Sequence, residues 1–292
     1  MIKYLGVFIF FVLMSCDKQI PYDDVNFKPK LVLNAFNYPD SLLKLKFDES
    51  FKLLGSPSIQ KLSTPVNIQL FKDSISIIDD VFWIEEGEVI LPYSVEDGSL
   101  YQIKANVVDY PSIESSDRVP LDNVKLILDS MSTGTVFYHL DVTINDPSMD
   151  NFYVLDLSVI GKQSLLNDSI IKHYPIRFSS KDKIFSSTIQ TTTEPSNRVI
   201  FNDELFNGLN KKIGLRIQKD SLAHSGFRPQ KIYVRLKSVS ESMYNYYLML
   251  IQNNHVFGGP LYFEGQIEGN VNGGLGGFYF YNQYTDSIPF KL

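Results

Sequence analysis

One cysteine, one tryptophan and four histidines stand among 292 residues. A single thiol closes no internal disulfide, so the fold must rest on its core rather than on covalent staples. The histidines, His139, His173, His224 and His255, are scattered, and none has a second histidine or a cysteine at metal-ligand spacing, so neither a metal nor a cofactor is expected. Positive charge is scarce as well. Lys and Arg total 27 against 33 Asp and Glu, for a formal net charge of -6, which argues against a polyphosphate partner such as nucleic acid. No apolar run approaches the ~20 residues that a membrane-crossing helix requires. What the chain does have is 44% hydrophobic residues, enough for a sizeable core, and 13% aromatics, nearly all Phe and Tyr.

The lone cysteine has an informative place. Met1 to Ser15 read MIKYLGVFIFFVLMS, with Lys3 as a short positive start and Leu5 to Met14 as an uncharged apolar stretch. This is the pattern of a secretory signal peptide, expected to occupy residues 1–15 and to be removed. Leu13-Met14-Ser15-Cys16 resembles the bacterial lipobox, whose cysteine is acylated and becomes the first residue of the mature chain. A thiolate is the side chain nucleophilic enough for that thioether. Each buried CH₂ of an acyl chain contributes about 0.8 kcal/mol, so two or three chains anchor a protein that does not span the membrane. Residues 16–27, polar and carrying Asp17, Asp23 and Asp24, read as a tether.

Beyond the tether, apolar and polar residues alternate. Leu43, Leu45 and Phe47 interleave with Lys44 and Lys46, and Val66, Ile68 and Leu70 with Asn67 and Gln69. The same holds for Tyr101 to Val107, Tyr138 to Ile144, Tyr153 to Val159, Ile213 to Ile217 and Ile232 to Leu236. Period two marks strands with one dry and one wet face. The proline-bounded segment Pro111 to Pro120 reads as a boundary, and Asp97-Gly98 as a hairpin turn. The expectation is a mainly β protein of two antiparallel sandwiches, an Ig-like one over 28–119 and a second over 120–292. One helix is expected at 239–254, with Ser238 and Glu241 as a capping box and Tyr244, Tyr247, Leu248 and Ile251 facing the second sandwich.

Candidate chemistry is thin. The glycine-dense run Asn270 to Gly277 lacks the lysine and the strand-to-helix context of a phosphate loop, and reads as a backbone turn. Asp146, Ser148 and Asp150 have the opening spacing of a calcium loop, but Leu157 stands where its closing glutamate belongs. No G-x-S-x-G occurs, and no carboxylate pair is singled out for glycosidic chemistry, so no catalytic residue is nominated and the protein is not expected to be an enzyme. Clusters such as Tyr244, Tyr246, Tyr247 and Tyr279, Tyr281, Tyr284 are mostly core material, with enough left over for a surface patch that could stack on sugars or contact peptides.

Asp-Ser followed by an aliphatic residue recurs, with the serines at Ser41, Ser74, Ser130, Ser169, Ser221 and Ser287. Chance composition would give about one or two. The pattern resembles the O-glycosylation acceptor of the Bacteroidota, although Asp-Ser also favours turns by itself.

Several segments resemble one family together: the lipobox at Cys16, VNIQLFKD from Val66, DGSLYQIKANV from Asp97, FYHLDVTINDPSMDNFYVLDL from Phe137, the tyrosine-rich helix, and NVNGGLGGF from Asn270. They are similar to the Bacteroidota lipoproteins of domain-of-unknown-function family 4249. The resemblance implies a lipoprotein of the cell outer membrane, often encoded beside a TonB-dependent receptor, with no catalytic residues defined. Asp17, Asp23 and Asp24 are similar to the acidic signals that send such lipoproteins to the cell surface. The expected role is an accessory protein of a TonB-dependent transporter, capturing a nutrient (a small ligand, glycan or peptide) or covering the receptor. The alternative is a structural or adhesive surface lipoprotein with no transporter.

Overall fold

Leu43, Leu45 and Phe47 are fully buried while Lys44 and Lys46 between them are exposed, and this alternation recurs through most of the chain. The computed structural model describes residues 28–50, 61–164, 169–185, 196–223, 226–256 and 269–290. Its contacts divide the chain into two units. The first, Met1–Pro29 with Phe51–Ile59, lies almost wholly outside the described residues. The second, Lys30–Ser50 with Gln60–Leu292, holds all the strands and the helix named below.

The strands in chain order are β1 (Leu31–Asn37), β2 (Leu42–Glu49), β3 (Pro65–Lys72), β4 (Ile75–Trp83), β5 (Glu88–Ser94), β6 (Leu100–Val107) and β7 (Ile113–Arg118). They continue with β8 (Lys125–Thr133), β9 (Phe137–Asn145), β10 (Phe152–Ser164), β11 (Ser169–Pro175), β12 (Phe178–Ser180), β13 (Arg198–Asn202), β14 (Asn210–Gln218) and β15 (Phe227–Val239). Helix α1 (Glu241–Val256), β16 (Val271–Asn272) and β17 (Leu275–Pro289) complete the fold. The protein is thus mainly β, with a single α-helix among the described residues.

A long sheet runs β11-β10-β15-β17-β1-β2-β5, with β13 sharing the edge of β10. Two smaller sheets, β16-β7-β6-β3-β4 and β12-β14-β9-β8, each pack on one half of it. The first core lies between β1, β2 and β5 on one side and β3, β6 and β7 on the other, with Leu33, Phe47, Ile68 and Ile103 at its centre. The second lies between β10 and β15 on one side and β9 and β14 on the other, around Leu140, Leu155, Leu215 and Val234.

Strand β17 threads both cores. Its inward residues Phe278 and Phe280 fill the first, and Tyr284 and Ile288 pack on the second. Between them Asn282, also inward, donates through Nδ2 to Asp97 Oδ1 at 2.7 Å and to the Pro120 carbonyl at 2.6 Å. A polar residue therefore stands where one apolar core ends and the next begins, and its amide ties the segment joining the two halves to the shared strand.

The structure departs from the sequence reading in four places. The β1–β17 pair is parallel, within otherwise antiparallel sheets. Asp97-Gly98 is not a hairpin, because β5 and β6 belong to different sheets; Gly98, at φ +69, turns the chain from one sheet to the other. A tight hairpin occurs instead at Asp73-Ser74, with φ +47 and +69, between β3 and β4, while Glu86-Gly87, with φ +49 and +86, makes a turn closed by a single Glu85–Glu88 bridge between strands of different sheets. Pro111 to Pro120 contains β7, whose inward positions Ile113, Ser115 and Asp117 alternate in burial but not in polarity.

The helix starts later than expected, at Glu241, and its cap is Ser240, not Ser238. Ser240 Oγ accepts from the Met243 amide at 3.3 Å, and its carbonyl accepts from Tyr244 N at 2.9 Å. Ser238 is an inward residue of β15. Met243 and Tyr244 pack on Val154, Ile200 and Tyr279, which belong to the outer face of the long sheet. That cover explains why Tyr153 to Leu157 are buried without alternation. The helix also reaches the first half, since Tyr246 meets Phe36 of β1 at 6.4 Å between ring centroids.

Candidate functional site

The outer face of the long sheet carries one group of side chains able to contact something outside the protein; Ile75, Val81 and Trp83 on β4 form another. Phe36 and Tyr38 are 42% and 49% exposed. Their rings lie 5.5 Å from Tyr279 and 5.6 Å from Tyr281, so an aromatic row runs from β1 onto β17. Beside it stand cations contributed by β13 and β15. Lys237 lies 4.3 Å from the Tyr281 ring centroid, and Arg198 5.3 Å from that of Tyr247 on α1. Burial, with the guanidiniums of Arg198 and Arg235 nearby, holds the Lys237 ammonium below its ordinary value against the pull of Asp156. Arg235 Nη1 donates to Asp156 Oδ1 at 3.2 Å, while Asp156 Oδ2 and Arg235 Nε are buried without hydrogen-bond partners. Register places these side chains together: Asp156 faces Arg198 on one side and Arg235 on the other.

A cleft of about 600 Å³ opens at one margin of this face. β1 pairs with β17 only as far as Asn37 and Phe280, so from Tyr281 onward β17 has a sheet partner on one side, β15, alone. The turn after β1, Tyr38-Pro39-Asp40, forms one wall, and Asp122, Arg235 and the β17 residues Tyr281, Asn282, Gln283 and Tyr284 line the rest. The turn is held by the Ser41 hydroxyl donating to the Tyr38 carbonyl at 2.5 Å and by Asp40 N donating to Val95 O at 3.1 Å.

A second cleft, about 630 Å³, opens between the joining segment at Val119, the turn at Asn151 and the N-terminus of α1. Asp117 sits at its base, 7% exposed, with Oδ1 accepting from Ser242 Oγ at 2.6 Å and Oδ2 from the Phe280 amide at 2.9 Å. Burial pushes its carboxyl up to about 6, and the hydrogen bonds oppose that rise. Asp203 behaves alike: burial pushes it up to about 6 while it accepts from the Asn151 amide at 2.8 Å. Asp146 accepts from the Tyr153 hydroxyl and, at 2.8 Å, from Gly208 N. These carboxylates fasten loops, and among the described residues no group of three His, Cys, Asp or Glu is placed to hold a metal.

The residues singled out from sequence do not converge. Cys16 lies outside the described residues. Ser74 is exposed at the β3–β4 turn, Ser130 is exposed on β8, and Ser169 opens β11 on the surface. Ser41 and Ser221 turn their hydroxyls onto the carbonyls of Tyr38 and Gln218, at 2.5 and 2.6 Å, and Ser287 is half-buried within β17. His139 and His173 are exposed strand residues, while His224 lies outside the described residues. The glycine run packs backbone against backbone: a Cβ on Gly273 would lie 2.2 Å from Ser112 O, and one on Gly276 2.1 Å from Leu33 O. That is the close approach for which glycine is used. Sequence reasoning missed Asp117, Asp156, Arg235 and Lys237. Only the alternation with Ile113 and Ser115 could have marked Asp117 as inward.

Fold and surface together define a mainly β protein of antiparallel sheets with one helix laid on the outer face of the longest. Residues 17–287 match the family described as a domain of unknown function (DUF4249), and the chain belongs to that family. No curated protein matches it. Among the described residues no helix is long and apolar enough to cross a membrane.

Proposed function

We propose that the protein is a lipoprotein anchored through Cys16 to the bacterial outer membrane, where it serves a TonB-dependent transporter by binding a nutrient and presenting it to the receptor. The observation that carries this reading is the aromatic and cationic row on the outer face of the long sheet, where Phe36 and Tyr38 remain exposed beside the partly buried Lys237. Monomers rarely leave such rings clustered on the surface unless something covers them. Among the described residues the shifted carboxyls Asp117 and Asp203 are tied to amides and hydroxyls that hold loops in place, which favours a structural use of them. The leader, the lipobox and the acidic tether supply the address and the anchor.

Extraction of native membranes in mild detergent tests the role. The protein should co-purify with an outer-membrane receptor, and its recovery free of any receptor under several growth conditions would favour an adhesive or structural role. Cys16→Ala should abolish acylation and release the protein from membranes, as read by lipid labelling and fractionation. O-glycosylation belongs to the same reading, with Ser74, Ser130 and Ser169 as the exposed acceptors. Intact mass from the native host should exceed polypeptide plus lipid, and a mass equal to that sum would remove the modification.

A further inference from the structure

We infer that the cleft between the Tyr38–Asp40 turn and the free margin of β17 is a binding site for a neutral saccharide. This names the nutrient class left open above, and it rests on the reading of the protein as a binding platform. The cleft's volume, about 600 Å³, falls within the range of roughly 300–1,000 Å³ common for small-ligand sites. Its wall combines an exposed ring with groups that both donate and accept. Tyr38 is 49% exposed and lies 5.6 Å from Tyr281 at 42° between ring planes, so the two rings form an open angle and not a closed stack. The electron-rich face of an aromatic ring suits the C–H face of a pyranose.

Around the rings stand Asp40 and Asp122, which accept, Arg235, which donates, and Gln283, which does both. Two carboxylates in the wall disfavour an anion, and the guanidinium disfavours a cation. A hydroxyl, being donor and acceptor at once, satisfies all four. Arg235 is held in place by Asp156 through Nη1 at 3.2 Å, so the fork is oriented before any ligand arrives.

A peptide adding as a strand fits less well. The unpaired side of β17 is flanked by the joining segment, through Asn282 Nδ2 to Pro120 O at 2.6 Å, and by β8, through Leu128 N to Asp286 Oδ2 at 3.2 Å. Those neighbours crowd the margin that an added strand would have to reach.

The test uses the full chain purified in mild detergent, with maltotriose, cellotriose and xylotriose as probes, followed by saturation-transfer NMR and calorimetry. At least one probe should bind with a Kd of about 1 mM or tighter, in the range of ~4 kcal/mol or more. Tyr38→Ala, an exposed position that leaves folding intact, should weaken binding tenfold or more, and Gln283→Ala severalfold. Trp83→Ala, which removes an exposed ring on another sheet, should change nothing. Failure of all three probes to bind the wild-type protein would overturn the inference, as would wild-type affinity in Tyr38→Ala or an equal loss in Trp83→Ala. Because these measurements need no receptor, they fail independently of co-purification: a receptor recovered without sugar binding sinks the saccharide and leaves the transporter role standing.

Discussion

The two faces of the long sheet are built from the same strands and do opposite things. Along β17, Phe278 and Phe280 point inward and are fully buried, while Tyr281 and Gln283 point outward, the first half-buried and the second exposed. Inward residues are mostly apolar, with Asn282, Ser238 and Asp286 as polar exceptions; outward ones include rings and charges beside Val154, Ile200 and Val239, some sheltered by α1. Under the proposed function, stability resides on one face and recognition on the other, and a substitution should disturb one far more than the other.

The largest effect is expected inside. Phe280→Ala removes a ring packed 5.2 Å from Tyr101 and 4.9 Å from Phe278, and should cost about 3–5 kcal/mol in chemical denaturation. The protein that stays folded should keep its outer-face binding.

The next effect is a pH dependence seated in two buried carboxyls that fasten loops. Asp117 and Asp203 both rise from an ordinary 3.8 to about 6. Each binds its proton more tightly folded than unfolded, so the stability it contributes is complete below about pH 4 and is lost as pH climbs through 6. Unfolding free energy should fall across that window, by about 2–3 kcal/mol for Asp117, with denaturation midpoints falling alongside. Asp117→Asn should remove its share of the slope and leave that of Asp203; an unchanged slope would refute the assignment.

Smaller still is the helix cap. Ser240→Ala leaves the Met243 amide without its acceptor and should cost about 1 kcal/mol in thermal or chemical unfolding. Smallest in stability, and largest in function, is Tyr38→Ala: within about 0.5 kcal/mol of wild type in denaturation, with ligand binding reduced. A variant losing stability and binding in proportion would erase the distinction between the faces.

The inner face was legible in the sequence because alternation reports burial directly; Leu140, Val142 and Ile144, or Ile213, Leu215 and Ile217, are fully buried as their spacing predicts. β7 was not legible, since Ser115 and Asp117 occupy inward positions that give no hydropathy signal. The hairpin expected at Asp97-Gly98 failed because turn chemistry reports local backbone and not which sheet the next strand joins. The tyrosines of α1 and β17 were visible as clusters, but which ring stays exposed depends on long-range packing: Tyr279 is buried under the helix while Tyr38, beyond the end of the β1 ladder, is not. The Asp156–Arg235 pair with Lys237 was beyond reach for the same reason, since it is assembled across strands 79 residues apart.

The most direct test of a recognition face is a photo-crosslinking residue placed in the native host at Thr285, exposed on the outer face of β17, and separately at Gln218, exposed on β14 of another sheet. Adducts with an outer-membrane receptor are expected from Thr285 and none from Gln218. Adducts from Gln218 alone, or no membrane-protein adduct from Thr285, would contradict a recognition face there.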